Sequence, residues 1–197
     1  MAVFKVFQPG INVNGASIMS VIKGMGAFAK SAQDILKDAG LSVVKDDPDS
    51  WYPQQSWLDA FKVLSEKTGQ KTLYAIGLKI PESAQFPPQI DSVEKALDSI
   101  DIAYHMNHKN AAGQVMFDPQ TGKLIEGIGH YRFQPGSEPG KGIMICENPY
   151  PDEFDRGIIF AMAKRFAPGG FVKVDYDESK PTRTKGSNST VFIVTWK

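Results

Sequence analysis

Apolar residues recur at intervals of three and four along residues 16–39. Ile18, Val21, Ile22, Met25, Phe28, Ala29, Ala32, Ile35, Leu36 and Ala39 fall on one face, the mark of an amphipathic helix. Asn14 stands where an N-cap belongs, and Gly40 followed by Leu41 suits a glycine C-cap with its hydrophobic contact. A polar stretch at 45–50 leads to a second predicted helix, with Pro53 in its first turn, Trp57, Leu58, Phe61 and Leu64 as its buried stripe, and Gly69 at its end. Residues 72–80 fit a helix through Leu73, Ile76 and Ile80, or a strand through Tyr74, Ile76, Leu78 and Ile80; periodicity does not separate the two. Pro87-Pro88 closes a loop over 81–88. Asp91, with Glu94 three residues on, predicts the start of a further helix with Val93, Leu97, Ile100 and Tyr104 on its apolar face, running to about His108. Before all of these, residues 3–7 predict a short strand or an ordered arm.

Beyond this point the period changes from three and four to two. Short strands are predicted at 115–117, 123–126, 130–134 and 143–146, with a turn at Pro119-Gln120-Thr121-Gly122. One more helix, 153–166, ends at Pro168-Gly169-Gly170. Two strands follow, in which Val172/Val174/Tyr176 and Phe192/Val194/Trp196 alternate. Helices first, then a mostly antiparallel sheet crossed by one helix, is an α+β pattern: a helical N-terminal half packed on a C-terminal sheet. Across 197 residues no repeat or linker interrupts the pattern, so a single domain over 1–197 is expected.

Composition narrows the function classes. Lys plus Arg and Asp plus Glu both count 22, and a balanced charge argues against nucleic-acid binding and against anionic membrane surfaces. One cysteine, Cys146, excludes an internal disulfide and the usual zinc–thiolate patterns. The start of the chain lacks the basic and apolar regions of a secretory signal, so the cytoplasm is the expected location.

The three histidines carry most of the candidate chemistry. His105 and His108 lie three apart near a predicted helix end, on one face, and His130 lies on a following strand. Three imidazoles suit a divalent metal; one of them, with Met106 or a second histidine opposite, suits a heme; and cationic imidazoles at a helix C-terminus suit its dipole. The last, or a pocket-lining role, is the larger expectation, and no metal ligand set is assigned. Cys146 reads as a buried strand residue, since nothing around it activates a thiol. The glycines of 136–142 do not have phosphate-loop spacing. The acids at Asp46-Asp47-Asp49 read as a solvated loop. Asp152 reads as a helix cap, and the basic stretch 180–185 as a hydrated hairpin loop.

The segments Trp51-Tyr52-Pro53, Trp57-Leu58, Gly69 and Leu73-Tyr74-Ala75-Ile76-Gly77, with the closing order of strand, helix, strand, glycine loop at Gly186 and strand, resemble the 4-vinyl-reductase-type domain. That superfamily is similar to heme-nitric-oxide-binding domains and to transport-protein-particle subunits. The resemblance implies a small-molecule-binding sensory or scaffold module and a homodimer. It departs at two points. Thr182 and Thr190 stand where many such domains carry cysteines, and Tyr176 is followed by Asp177-Glu178-Ser179, without the Tyr-x-Ser-x-Arg signature of heme sensors.

The resulting expectation is a pocket between helices and sheet, lined by Tyr104, His105, His108, Met116, His130, Tyr131 and Arg132, with Arg132 pairing an anionic group of a small-molecule ligand. An isomerase- or lyase-like enzyme using one pocket histidine as general acid/base is the alternative, and a purely structural interaction protein is the third. The sequence assigns no cofactor.

Overall fold

Asn14 caps the first helix as its position predicts, its side-chain oxygen accepting the Ala16 N–H at 2.8 Å. The computed structural model describes all residues except 1–2, 26–28, 42–43, 46 and 48. In chain order the helical half comprises β1 (Asn12–Asn14), α1 (Gly15–Gly24), α2 (Ala29–Asp38), β2 (Trp51–Pro53), α3 (Gln54–Thr68), α4 (Gln70–Lys79) and α5 (Val93–Met106). The expected long helix is thus two, α1 and α2; Phe28 of its stripe lies outside the described residues. The Leu41 N–H reaches the Leu36 carbonyl at 2.8 Å across Gly40, whose φ of +86° is the left-handed turn that suits glycine.

Residues 72–80, open between helix and strand, fall almost wholly in α4, which buries Leu73 and Ile76. The cap of α5 is Ser92, not Asp91: Ser92 Oγ accepts the Lys95 N–H at 3.3 Å, while Asp91 pairs with the Lys95 ammonium at 2.8 Å. Residues 3–7 form no strand and are held as an arm, the Phe4 N–H donating to the Pro149 carbonyl at 2.7 Å. The helix expected to reach His108 stops at Met106. His108 instead belongs to β3 (His108–Lys109), which with β2 flanks β1 in a small antiparallel sheet.

The second half contains the hairpin β4 (Phe117–Asp118) and β5 (Lys123–Leu124), then β6 (His130–Pro135), β7 (Lys141–Glu147), α6 (Asp152–Phe166), β8 (Val172–Tyr176) and β9 (Thr190–Trp196). The main sheet has the order β6-β7-β9-β8, antiparallel throughout. Register places Tyr131, Cys146 and Thr190 in one cross-strand row, and Phe133, Met144, Phe192 and Tyr176 in the next. The buried members of these rows form the face on which α5 and α6 pack, so the expected α+β architecture is the one observed.

Helices α4 and α6 meet backbone to backbone. A Cβ on Gly77 would stand 2.2 Å from the Phe154 carbonyl oxygen, and one on Gly157 would stand 2.3 Å from that of Tyr74. Two facing glycines therefore set the helix separation, which no other residue type permits at these positions. Among the described residues no helix is long and apolar enough to cross a membrane.

Candidate functional site: an apolar cavity beside two buried polar clusters

A cavity of about 310 Å³ lies among α1, α5, α6 and the segment 80–86, and the main sheet reaches it through Tyr131. Val21, Trp57, Ile100, Phe154, Ile158 and Met162 supply apolar wall; Ser17, Asn107, Tyr104, His108, Tyr131 and Tyr150 supply the polar atoms. Among the described residues that line it there is no Asp, Glu, Lys or Arg.

The polar groups of this wall are bonded to one another, to the backbone and, from the Tyr131 hydroxyl, to the buried Asp155 carboxylate at 2.5 Å. His108 Nδ1 lies 2.7 Å from the Tyr104 carbonyl oxygen. A carbonyl can only accept, so Nδ1 carries the proton and Nε2 is the acceptor. Nε2 faces the Tyr150 hydroxyl at 3.0 Å and Gln54 Nε2 at 3.2 Å. Burial pushes the His108 pKa down to about 4, so the ring is neutral at physiological pH. The Tyr104 hydroxyl donates to the Ile128 carbonyl at 2.7 Å, and burial raises the pKa values of Tyr104 and Tyr150 above the ordinary phenol value. The cavity is uncharged as well as apolar.

On the side of α5 away from this wall, Asp101 and His105 stand one helical turn apart and meet His130 from the start of β6. His130 Nδ1 is 2.8 Å from Asp101 Oδ2, and its Nε2 is 2.9 Å from Glu126 Oε2. His105 Nδ1 lies 2.8 Å from the Asp101 carbonyl oxygen and 3.4 Å from its Oδ1. Burial opposes charge on His130, but its hydrogen bonds to the two carboxylates outweigh that, and its pKa is raised. Asp101 is held below the usual carboxylate range, its bonds with His105, the Tyr131 N–H and His130 overcoming its desolvation.

A third cluster lies under the sheet. Arg183, fully buried, donates to Asp152 Oδ1 at 2.6 Å, to Asp155 Oδ2 at 2.5 Å and to Asn148 Oδ1 at 2.8 Å; Thr190 Oγ1 donates to Asp152 at 2.7 Å. Burial pushes Asp155 up, to about 6, against the pull of the Arg183 guanidinium. Arg183 falls within the stretch expected to be a hydrated loop, and Asp152 is a network member as well as the first residue of α6; both readings are corrected here. Of the acids expected in a solvated loop, Asp46 lies outside the described residues, and Asp47 accepts from the Asp49 N–H at 3.0 Å.

The residues singled out from the sequence therefore divide. Tyr104, His108 and Tyr131 line the cavity. His105 and His130 lie together behind it, so the three histidines do not converge. Met116 is fully buried but is not part of the lining, its N–H donating to the His108 carbonyl at 2.9 Å. Arg132 points outward and pairs with Glu147 at 3.1 Å. Sequence reasoning missed Gln54, Asp101 and Tyr150, took Asp155 for a first-turn acid of the helix, and took Arg183 for part of a hydrated loop. For Asp101 the signal was present: an acid four residues before His105 on a strongly periodic helix.

No protein-family model and no curated protein matches the sequence. Solved structures match it in fold. An H-NOX protein from S. oneidensis in the Fe(II)NO ligation state aligns over 93% of this chain and 99% of that chain, with a TM-score of 0.63 and 11% identity. An oxygen-binding H-NOX domain related to soluble guanylate cyclases, in its oxygen complex, aligns over 93% and 95%, with a TM-score of 0.59 and 16% identity. A structure that probes heme distortion in the H-NOX family aligns over 93% and 94%, with a TM-score of 0.60 and 16% identity. At these identities the likeness is one of fold.

Proposed function

We propose that the chain is a sensory domain that binds a small, uncharged, largely apolar molecule in the cavity between α1, α5, α6 and the sheet. The supporting observation is a cavity of about 310 Å³ whose apolar walls carry a few fixed neutral polar groups and no charge, the usual make-up of a small-molecule site. The Tyr150 hydroxyl, the Asn107 amide and Ser17 offer hydrogen bonds that would orient one polar group of the ligand. The H-NOX structures that share its fold, one of them an oxygen complex, support this reading.

The residues at the cavity do not suit a heme. The lone pair of His108, the one imidazole on the wall, is already taken: its Nε2 faces the Tyr150 hydroxyl at 3.0 Å and Gln54 Nε2 at 3.2 Å. Arg132 and Arg183, which could meet acidic substituents of a porphyrin, are tied to Glu147 and to Asp152 and Asp155. The cavity volume is also at the low end of the roughly 300–1,000 Å³ typical of ligand sites. The same engagement of His108, with a pKa of about 4, weighs against its serving as a general acid/base near neutrality.

Native mass spectrometry of freshly purified protein, read against its denatured mass, tests the proposal together with a titration by 1-naphthol, an apolar molecule with one hydroxyl. Val21→Trp fills the cavity from α1. The expected result is retained organic mass or 1-naphthol binding in the parent, lost in Val21→Trp. Binding by neither protein, or equal binding by both, would remove the cavity as the site.

A further inference from the structure

We propose that Asp101, His105 and His130 form a binding site for a divalent transition metal of the zinc class, with Glu126 as the fourth ligand. Each of the first three offers one ligand atom, and these atoms all lie within 4.8 Å of one another. Two imidazoles and a carboxylate are a donor set that zinc and the neighbouring first-row ions accept. His105 and His130 are buried and the Asp101 side chain is 14% exposed, so this is a built site and not a surface accumulation of charge.

A second observation concerns the His105 ring itself. His105 Nε2 is buried without a hydrogen-bond partner among the described residues. Its Nδ1 lies 2.8 Å from the Asp101 main-chain carbonyl, which can only accept, so Nδ1 holds the proton and the orphan Nε2 carries the lone pair. Leaving such an atom unpaired inside a protein is unfavourable. An Nδ1–H fixed on a main-chain carbonyl is also the arrangement that commonly orients a metal-binding histidine.

The remaining geometry asks for a contraction of the cluster and a swing of the Glu126 side chain, whose carboxylate now meets the ring nitrogen of His130 opposite the one that faces Asp101. Tetrahedral zinc, with bonds of about 2.0–2.2 Å, holds its ligand atoms roughly 3.4 Å apart, so an edge of up to 4.8 Å contracts by as much as about 1.4 Å. His130 now bridges Asp101 and Glu126 through its two nitrogens. Metal binding exchanges one of those bonds for a coordinate bond and frees a carboxylate. Glu126, with its side chain 79% exposed, is mobile enough to close the shell from the solvent side. Two carboxylates and two neutral imidazoles balance a dication.

The site lies directly behind the cavity. Tyr104 and Tyr131, both on the cavity wall, are the chain neighbours of His105 and His130, and Asp101 Oδ1 accepts the Tyr131 N–H at 2.9 Å. A metal here fastens α5 to β6. It does not depend on the cavity's being a ligand site, and its test reads the metal alone.

The full chain is stripped with a chelator and titrated with Co(II), whose d–d absorption reports tetrahedral coordination, and then with Zn(II) in competition, while thermal unfolding is followed. The expected result is one equivalent bound, with a rise in Tm. Glu126→Ala, at an exposed position that leaves the core intact, weakens binding about tenfold or more; Asp101→Asn and His130→Asn abolish it. Absence of a cobalt band and of any zinc-dependent Tm shift in the parent would overturn the assignment. So would binding that survives unchanged in Glu126→Ala and Asp101→Asn, since the metal would then sit elsewhere. Because Glu126→Ala tests the site without touching a buried residue, misfolding of the histidine variants does not shield the proposal.

Discussion

Replacing Arg183 by methionine keeps the volume of the side chain and removes its charge. Asp152, 6% exposed, and Asp155, fully buried, are then left facing each other without the cation that holds them. Removing one partner of a buried ion pair typically costs about 3–5 kcal/mol, and the structure gives an independent ceiling. The variant escapes the uncompensated charge by protonating Asp155. Relative to an unfolded chain in which this acid titrates at 3.8, holding it protonated costs about 4 kcal/mol at pH 7 and about 2 kcal/mol at pH 5. In both proteins the folded pKa of Asp155 lies above the unfolded one, so folding takes up a proton and stability is lost as pH rises through the folded value. The variant therefore gains almost 3 kcal/mol between pH 7 and pH 5. The parent, with Asp155 at about 6, gains only about half of that. Urea unfolding at the two pH values should give a deficit of about 4 kcal/mol at pH 7 that narrows by about 1 kcal/mol at pH 5, other groups titrating alike in both proteins. A deficit below about 1 kcal/mol at pH 7, or one that widens on acidification, would refute the reasoning.

Three further outcomes are expected. His108, with a folded pKa of about 4 against 6.5 unfolded, contributes stability that is fully present above pH 6.5 and is lost as pH falls toward 4, up to about 3 kcal/mol; His108→Gln should flatten the acid limb of a stability–pH profile, and an unchanged limb would mean the ring is not buried neutral. Tyr104→Phe keeps the ring but strips the Ile128 carbonyl of its donor at 2.7 Å, and should cost about 1–3 kcal/mol by denaturant unfolding; a neutral result would show that water replaces the hydroxyl. Gly77→Ala, forcing a methyl against the Phe154 carbonyl oxygen, should cost about 3 kcal/mol or more, measured as loss of Tm; tolerance would mean that α4 and α6 separate freely.

What the sequence revealed follows from how local each cause is. Asn14 and Gly40 act on the turns next to them, so the caps could be read directly. The period-two strands β8 and β9 could be read because one face of each is buried over five and seven residues. β1 and β3, three and two residues long, are too short to show any period, and they exist only because β1 finds partners far along the chain, in β2 and β3. For the site, Tyr104, His108 and Tyr131 were legible as aromatic and imidazole groups around one helix end. Their separation from His105 and His130 was not, because it depends on which side of α5 the sheet meets. Arg183 was the deepest miss: in a stretch of lysines, threonines and proline, nothing local marks the one guanidinium that, among the described residues, the fold draws fully inside.

The contact between Gly77 and Gly157 has a consequence for how substitutions combine. Either methyl alone compels the two helices to move apart, since each collides with the opposing main chain. Once that separation has happened, the second methyl enters space already opened. The two substitutions should therefore be strongly sub-additive in a double-mutant cycle, the pair costing little more than the worse single change. Variation at these positions is consequently coupled: a lineage that lost one glycine would be under little constraint to keep the other, and the two are best regarded as a single genetic unit spread over two helices.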